Sequence, residues 1–360
     1  MKHQHPFSPD VTADEFRSRK SQAGYLKAIK IERHQVVTTP DFGSSENFLK
    51  EENKGKNRYE DIPCWDRTRV TVTPGKDNSD YIHANYVDSF GSPKKFIATQ
   101  GPLKETIEEF WQMAWDQKSY IILMLTKLRV SEVEKCVPYW RDDKEYTLFT
   151  RTGKFLISMI TGWPDFKTPT NSLSFIKLVL AVNLERQRPL REAVNGPVPG
   201  PIIVHCSTGN GRTGTFCSVD SCLYQLVKTE TVSVPGTVMK IRSQRHTSVL
   251  APEQYVCINS VLHYFLQMCD QYPNLRDEIS AHKVQSMNGS DFLSFMDQPD
   301  VLARINEEYR SIISMDQKEF KNAGCLPFAR CLQRQVKLSS NEKIHNASFV
   351  DGYHTKRKYI

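Results

Sequence analysis

The 360-residue chain is 39% hydrophobic and 25% charged with a net charge of +7 and an isoelectric point near 8.8. That leaves room for one large α/β domain or two smaller ones, with a core and a surface that attracts acidic ligands. No apolar run approaches a membrane span, the opening Met-Lys-His-Gln-His-Pro has neither a secretory apolar core nor a myristoylation signal, and no concentrated basic patch calls for nucleic acid. The nine cysteines are odd in number and scattered without a Cys-x2-Cys pair, which points to reduced thiols in the cytosol and away from a zinc site; no metal or cofactor is expected.

Residues 11–38 carry Phe16, Tyr25, Leu26, Ile29 and Ile31 among many charges, the pattern of one or two amphipathic helices laid on the outside of a domain. A Thr-Thr-Pro-Asp-Phe-Gly loop follows, then the string Lys-Asn-Arg-Tyr-Glu-Asp from 56 to 61. β-branched runs near 70–72, 80–88 and 95–102 read as strands. Residues 106–117 place Ile107, Phe110, Trp111 and Trp115 at helical spacing behind Thr106 as a cap. A continuous apolar strand over 120–126 is of the kind buried on both faces. The loop 129–140 carries Glu132, Glu134 and Lys135, and 147–152 with 155–159 read as a hairpin. After Gly-Trp-Pro-Asp-Phe-Lys-Thr-Pro at 162–169, the apolar spacing of Leu173, Phe175, Ile176, Leu178, Val179 and Val182 predicts a helix packed on a sheet.

The stretch 201–216, Pro-Ile-Ile-Val-His-Cys-Ser-Thr-Gly-Asn-Gly-Arg-Thr-Gly-Thr-Phe, organises the rest. A short β-branched strand stops at His205-Cys206, three glycines permit a turn that aims N–H groups at one point, and a helix starts with its positive end toward that point. The cradle suits a dianion. Cys206 at its mouth would lose its proton readily beside loop amides and a helix N-terminus, and Arg212 supplies a planar fork for two phosphoryl oxygens. A thiolate with a phosphate clamp implies phosphoryl transfer through a cysteinyl-phosphate. A bare Cys-x5-Arg spacing carries little; His205, Gly209, Gly211, Gly214 and Thr213 arriving with it carry much more.

His205 to Gly214 resembles the signature of the phosphotyrosine-specific protein tyrosine phosphatases, and the resemblance extends over roughly 40–275. It implies an α/β fold, a highly twisted mixed sheet flanked by helices with the phosphate loop at a strand-to-helix junction. It implies Tyr59 as the wall of a slot too deep for phosphoserine, and Asp61 as a ligand of the substrate backbone. Ser207, Thr208, Gly209, Asn210 and Gly211 would line the phosphate site, and Lys135 matches a lysine of the family loop, with Glu132 and Glu134 competing for its acidic position. Asp165 would be the general acid on a closing loop. His205 and Thr213 would tune the thiolate, and Gln254 matches the second of two family glutamines. Arg242 and Arg245 match paired arginines, Arg245 with a structural part. The sequence departs from the pattern at Lys167, at Asn210, where a polar side chain could loosen the slot, and at Leu250, where the family has the glutamine that positions the hydrolytic water. The resemblance implies phosphotyrosyl proteins as partners and a monomer.

Residues 232–237 read as broken by Pro and Gly, and 256–273 as a closing helix. Beyond it, Ala-Ser-Phe-Val-Asp-Gly-Tyr at 347–353 echoes Ala-Asn-Tyr-Val-Asp-Ser-Phe at 84–90, as the start of a second phosphatase domain would. The chain thus divides into 1–39, N-terminal helices; 40–275, catalytic domain; and 276–360, a linker with a truncated, degenerate second domain. This echo, the Pro-Cys-Trp-Asp string and the compact form are similar to phosphatases carried by polydnaviruses of parasitoid wasps, which would place action in a host-cell cytoplasm.

Overall fold

The computed structural model describes residues 10–38, 43–75, 78–130, 132–139, 155–159, 163, 172–192, 200–272, 274–280 and 347–350. The chain opens with a short strand β1 (Val11–Thr12) and the helices α1 (Ala13–Ser21) and α2 (Tyr25–Thr38). Thr12 Oγ1 accepts from Glu15 N at 3.2 Å while Glu15 Oε2 accepts from Thr12 N at 2.8 Å, a reciprocal cap that starts α1. Short turns α3 (Glu46–Leu49) and α4 (Glu51–Lys54) precede β2 (Arg69–Thr71), β3 (Tyr81–Ser89), β4 (Ser92–Thr99), α5 (Ile107–Asp116) and β5 (Ile121–Met124). The hairpin β6 (Arg129–Val130) and β7 (Val133–Glu134) is followed by β8 (Phe155–Met159), α6 (Ser172–Glu192), β9 (Ile202–His205) and α7 (Gly211–Thr229). Then come β10 (Thr231–Val232), α8 (Val234–Gln244), α9 (Pro252–Gln271), α10 (Leu275–Ser280) and β11 (Ala347–Val350).

The main sheet runs β11-β8-β5-β9-β4-β3-β2. Its middle, β8-β5-β9-β4, is parallel, and both flanks are antiparallel. β9 therefore sits at the centre with both faces covered. Ile202 and Val204 join the core formed with α6, α7 and α9, whereas Ile203 joins the core under α5. A strand buried on both faces has no polar alternation, which is why it reads as an unbroken apolar run. Each such side chain contributes about 1.5–3 kcal/mol by leaving water.

α7 is buried along nearly its whole length. Two of its polar residues survive there by bonding back into the helix, Thr215 Oγ1 to Gly211 O at 2.8 Å and Ser218 Oγ to Gly214 O at 2.7 Å. Asp220, fully buried, takes Lys95 Nζ at 2.7 and 2.9 Å, Ser89 Oγ at 2.6 Å and Asn183 Nδ2 at 2.6 Å. This satisfied network ties β3, β4 and α6 to α7.

Several sequence expectations need adjustment. The N-terminal helices are more than an outer layer, because β1 pairs with β10 and Phe16 stacks on His263 with ring centroids 4.4 Å apart. On α2 only Ile29 and Val36 are buried, and Leu26 and Ile31 are exposed. Trp115 is likewise 44% exposed, on the outer side of α5. Thr106 occupies the cap position of α5, but its hydroxyl turns back to Leu103. Residues 234–237 begin α8 instead of breaking the chain, since Pro235 lies in the first turn, where a missing N–H costs nothing. The expected strand 147–152 lies outside the described residues. Among the described residues no helix is long and apolar enough to cross a membrane, and no group of three metal-ligating side chains converges.

Candidate active site

The site forms where the central strand ends. β9 delivers His205, the loop turns through Cys206 to Asn210, and α7 begins at Gly211. Gly209 has φ +74, and a Cβ there would lie 2.2 Å from Thr99 O on β4, so only glycine fits. Gly209 N donates to Cys206 Sγ at 3.2 Å. Gly101 N donates to Ser207 O at 2.9 Å, tying the far side of the loop to the chain after β4.

Cys206 is buried, which alone would push its thiol up. The Arg212 guanidinium, the hydroxyl and amide of Thr213 and the Gly209 amide outweigh burial, and the thiol falls below its usual value. The other six described cysteines, Cys64, Cys136, Cys217, Cys222, Cys257 and Cys269, are all shifted upward, chiefly by burial. Thr213 Oγ1 is buried and makes no hydrogen bond of ordinary geometry among the described residues, and its hydroxyl favours the Cys206 thiolate. Arg212 Nη1 donates to Trp163 O at 3.1 Å, so the guanidinium already meets the segment that carries Asp165. Asp165 and Lys167 themselves lie outside the described residues.

His205 is fully buried and pushed down to about 4 by that burial, hence neutral. Tyr139 OH lies 2.8 Å from Nε2, and Nδ1 lies 3.2 Å from Cys206 O. A neutral ring satisfies both contacts by accepting from Tyr139 and donating from Nδ1 to the carbonyl. Tyr139 lies in the stretch 129–140 that resembles a family loop, but only the fold brings it beside His205 of β9.

Tyr59 is half-buried and its hydroxyl meets Ser207 Oγ at 2.7 Å, at the cradle. Arg58 holds this string in place, its Nε on Gly101 O at 2.9 Å and Nη2 on Pro102 O at 2.7 Å. Asp61 is exposed two residues further on. Glu134 faces Arg58 at 3.6 Å, whereas Glu132 is at the hairpin turn with φ +64. Lys135 is half-buried, its N donating to Leu128 O at 2.7 Å, and its carbonyl is the nearest atom to any Cβ placed on Gly101. The backbone of this loop thus packs against Gly101, beside the cradle.

Behind the loop, Arg245 is fully buried. It donates to Thr208 O at 2.9 Å, Gly209 O at 3.3 Å, Asn210 Oδ1 at 3.2 Å and Asn85 Oδ1 at 2.8 Å, and meets His83 Nδ1 at 3.0 Å. Asn210 is also fully buried and bonded to His246 O and Thr247 Oγ1, both at 2.6 Å. It therefore fastens the loop, contrary to the loosening expected of a polar residue there. Thr208 Oγ1 accepts from Asn210 N at 3.3 Å and lies 3.9 Å from Cys206 Sγ. Gln254 Oε1 accepts from Ala251 N at 3.1 Å, which caps α9, and its Nε2 abuts Gly211, where a Cβ would come within 2.8 Å. The amide oxygen of Gln254 is thus already engaged. Leu250 is 38% exposed, and its carbonyl accepts from Arg33 Nη2 of α2 at 2.6 Å.

A family model described as protein-tyrosine phosphatase matches residues 53–160 and 150–264. "Tyrosine phosphatase H3" of Microplitis demolitor bracovirus is 35% identical over 301 residues, covering 70% of this chain and 93% of that protein. "Probable tyrosine phosphatase protein N1" of the same virus is 37% identical over 279 residues, covering 68% and 86%. Human receptor-type tyrosine-protein phosphatase alpha is 30% identical over 411 residues, covering 99% of this chain and 48% of that protein.

Proposed function

Because the chain belongs to the protein-tyrosine phosphatase family, we propose that it hydrolyses phosphotyrosine in proteins through a phosphocysteine at Cys206. The observation that carries this reading is the geometry of the cradle, where Gly209 N donates to Cys206 Sγ at 3.2 Å on the turn from β9 into α7. The thiol's downward direction, against upward directions at the six other described cysteines, agrees with it. In the first step Cys206 Sγ attacks phosphorus as the bond to the tyrosyl oxygen breaks. Asp165 gives its proton to that oxygen, and Arg212 with the loop amides holds the equatorial oxygens. In the second step water attacks phosphorus, Asp165 takes the water's proton, the S–P bond breaks, and phosphate leaves with the thiolate restored. Neutral His205, Thr213 and Ser207 shape the thiolate's surroundings. Tyr59 walls the slot, Asp61 and Lys135 flank it, and Gln254 supports the floor at Gly211.

Leu250 cannot orient a water, so phosphoenzyme breakdown limits turnover. The bracovirus tyrosine phosphatases among its relatives fit action in a host cell; the targets we propose there are phosphotyrosine signalling or cytoskeletal proteins of the cytoplasm, met by a monomer. The alignment over 99% of the chain to a receptor-type relative supports reading 276–360 as the degenerate start of a second domain after the catalytic unit 40–275 and the helices of 1–39. Phosphate release from a phosphotyrosyl peptide tests the function: it is expected from the native chain and lost in Cys206→Ser. Tight peptide binding with no release would favour a substrate-trapping protein instead.

A further inference from the structure

Resting on the phosphatase reading, we infer that Asn210 is a positioning residue that bolts the phosphate cradle to residues 245–249 and, through Arg245, aims the Gly209 amide at the nucleophile. Both ends of its carboxamide are used. Nδ2 donates to His246 O and Thr247 Oγ1 at 2.6 Å, and Oδ1 accepts from Arg245 Nε at 3.2 Å. Its main-chain oxygen accepts from Val249 N at 3.3 Å.

The bolted segment does not hold its shape unaided. Thr247 has φ +52 and Val249 has φ +57, a left-handed backbone that β-branched residues rarely adopt and that persists only where the surroundings impose it. On its other side the segment is pressed onto α7, where a Cβ on Gly214 would lie 2.7 Å from that of Ser248. From the cradle the Asn210 side chain grips it, beside the bonds of Arg245 to Thr208 O and Gly209 O, while Arg242 Nη1 holds Ser248 O at 2.9 Å from α8.

The grip reaches the reacting atom through one peptide plane. Arg245 Nη2 donates to Thr208 O at 2.9 Å, and the N–H of that same planar unit is Gly209 N, 3.2 Å from Cys206 Sγ. Fixing the carbonyl therefore fixes the amide. An apolar side chain at 210 could fill the same volume but would make none of these bonds to Arg245, His246 and Thr247.

Two readouts test this without depending on turnover. Orthovanadate affinity measures the cradle, and the pH midpoint of iodoacetamide alkylation at the Cys206 peptide measures the thiolate. Asn210→Ala is expected to weaken vanadate binding about tenfold and to raise the alkylation midpoint by roughly half a unit or more. Adding Thr247→Gly should restore part of both, because glycine reaches φ near +52 without side-chain strain while the Arg245 Nε bond to Oδ1 stays lost. Unchanged affinity and midpoint in Asn210→Ala overturn the inference. So does a double variant that regains thermal stability but neither readout. Should Asn210→Ala not fold, Thr247→Val removes one acceptor only and is expected to weaken vanadate about threefold; no change would count against the role. A native chain that binds vanadate yet releases no phosphate from peptide refutes the hydrolase reading, while the vanadate series still decides the part played by Asn210.

Discussion

Cys206 differs from the other described cysteines in its neighbours and not in its burial, so changing a neighbour should move its chemistry. Thr213→Val removes a hydroxyl that favours the thiolate. Because the thiolate is the reactive form and exists above the thiol's pKa, the acid limb of kcat/KM is expected to move upward, by about one pH unit. A limb that stays in place would remove Thr213 from the site's electrostatics. Leu250 acts on the other half of the cycle. Leu250→Gln is expected to raise kcat roughly tenfold or more while shrinking the burst of aryl phosphate cleavage in rapid-quench experiments. Equal kcat and the absence of a burst in the native chain would show that breakdown of the intermediate is not limiting. Cys206 and Arg212 were legible as candidates because His205, Gly209, Gly211, Thr213 and Gly214 accompany their spacing on one short turn. Tyr139 was not, since its contact with His205 spans sixty-six positions.

Two close approaches hold the elements around the cradle. Gly209→Ala would force a Cβ into Thr99 O and a methyl-bearing residue to φ +74. The backbone alone costs on the order of 1–3 kcal/mol, and phosphatase activity should fall with stability. The second is the buried Lys95–Asp220 pair, which joins β4 to α7. Asp220→Ala leaves a lysine ammonium buried without its partner and is expected to cost about 3–5 kcal/mol in urea unfolding. Lys95→Met combined with Asp220→Leu should cost less than Asp220→Ala alone, because no unpaired charge remains. A larger loss in the double variant would mean that packing, not charge, dominates there. The sequence reading located β3, β4, β5, α5 and α7 but gave no hint of this pair: Lys95 looks like one more surface lysine until β4 is set inside the sheet against α7.

At the scale of the whole molecule, buried neutral histidines set the acid limit. His83 is pushed down to about 3 and His205 and His263 to about 4, each chiefly by burial. An unfolded histidine titrates near 6.5, so between pH 6.5 and 4 the unfolded chain binds more protons. Stability is then full above about 6.5 and lost progressively as pH falls. Melting temperature is expected to be level above pH 7 and to drop through this window; a flat profile down to pH 4 would refute the assignment. His263 also accepts the N-terminal helices, through Phe16 and Tyr25, so they should undock in the same range. By itself the sequence determined the family, and through that resemblance the fold class, and it pointed to the cradle with Cys206 and Arg212, because His205, the three glycines, Arg212 and Thr213 arrive together in one contiguous motif. Only the tertiary structure decided that Asn210 fastens where a polar residue was expected to loosen, that Gln254 caps α9, and that Arg33 of α2 reaches Leu250. Those outcomes depend on partners distant in the chain, and a side chain's hydrogen bonds are fixed by what the fold places within about 3 Å of it.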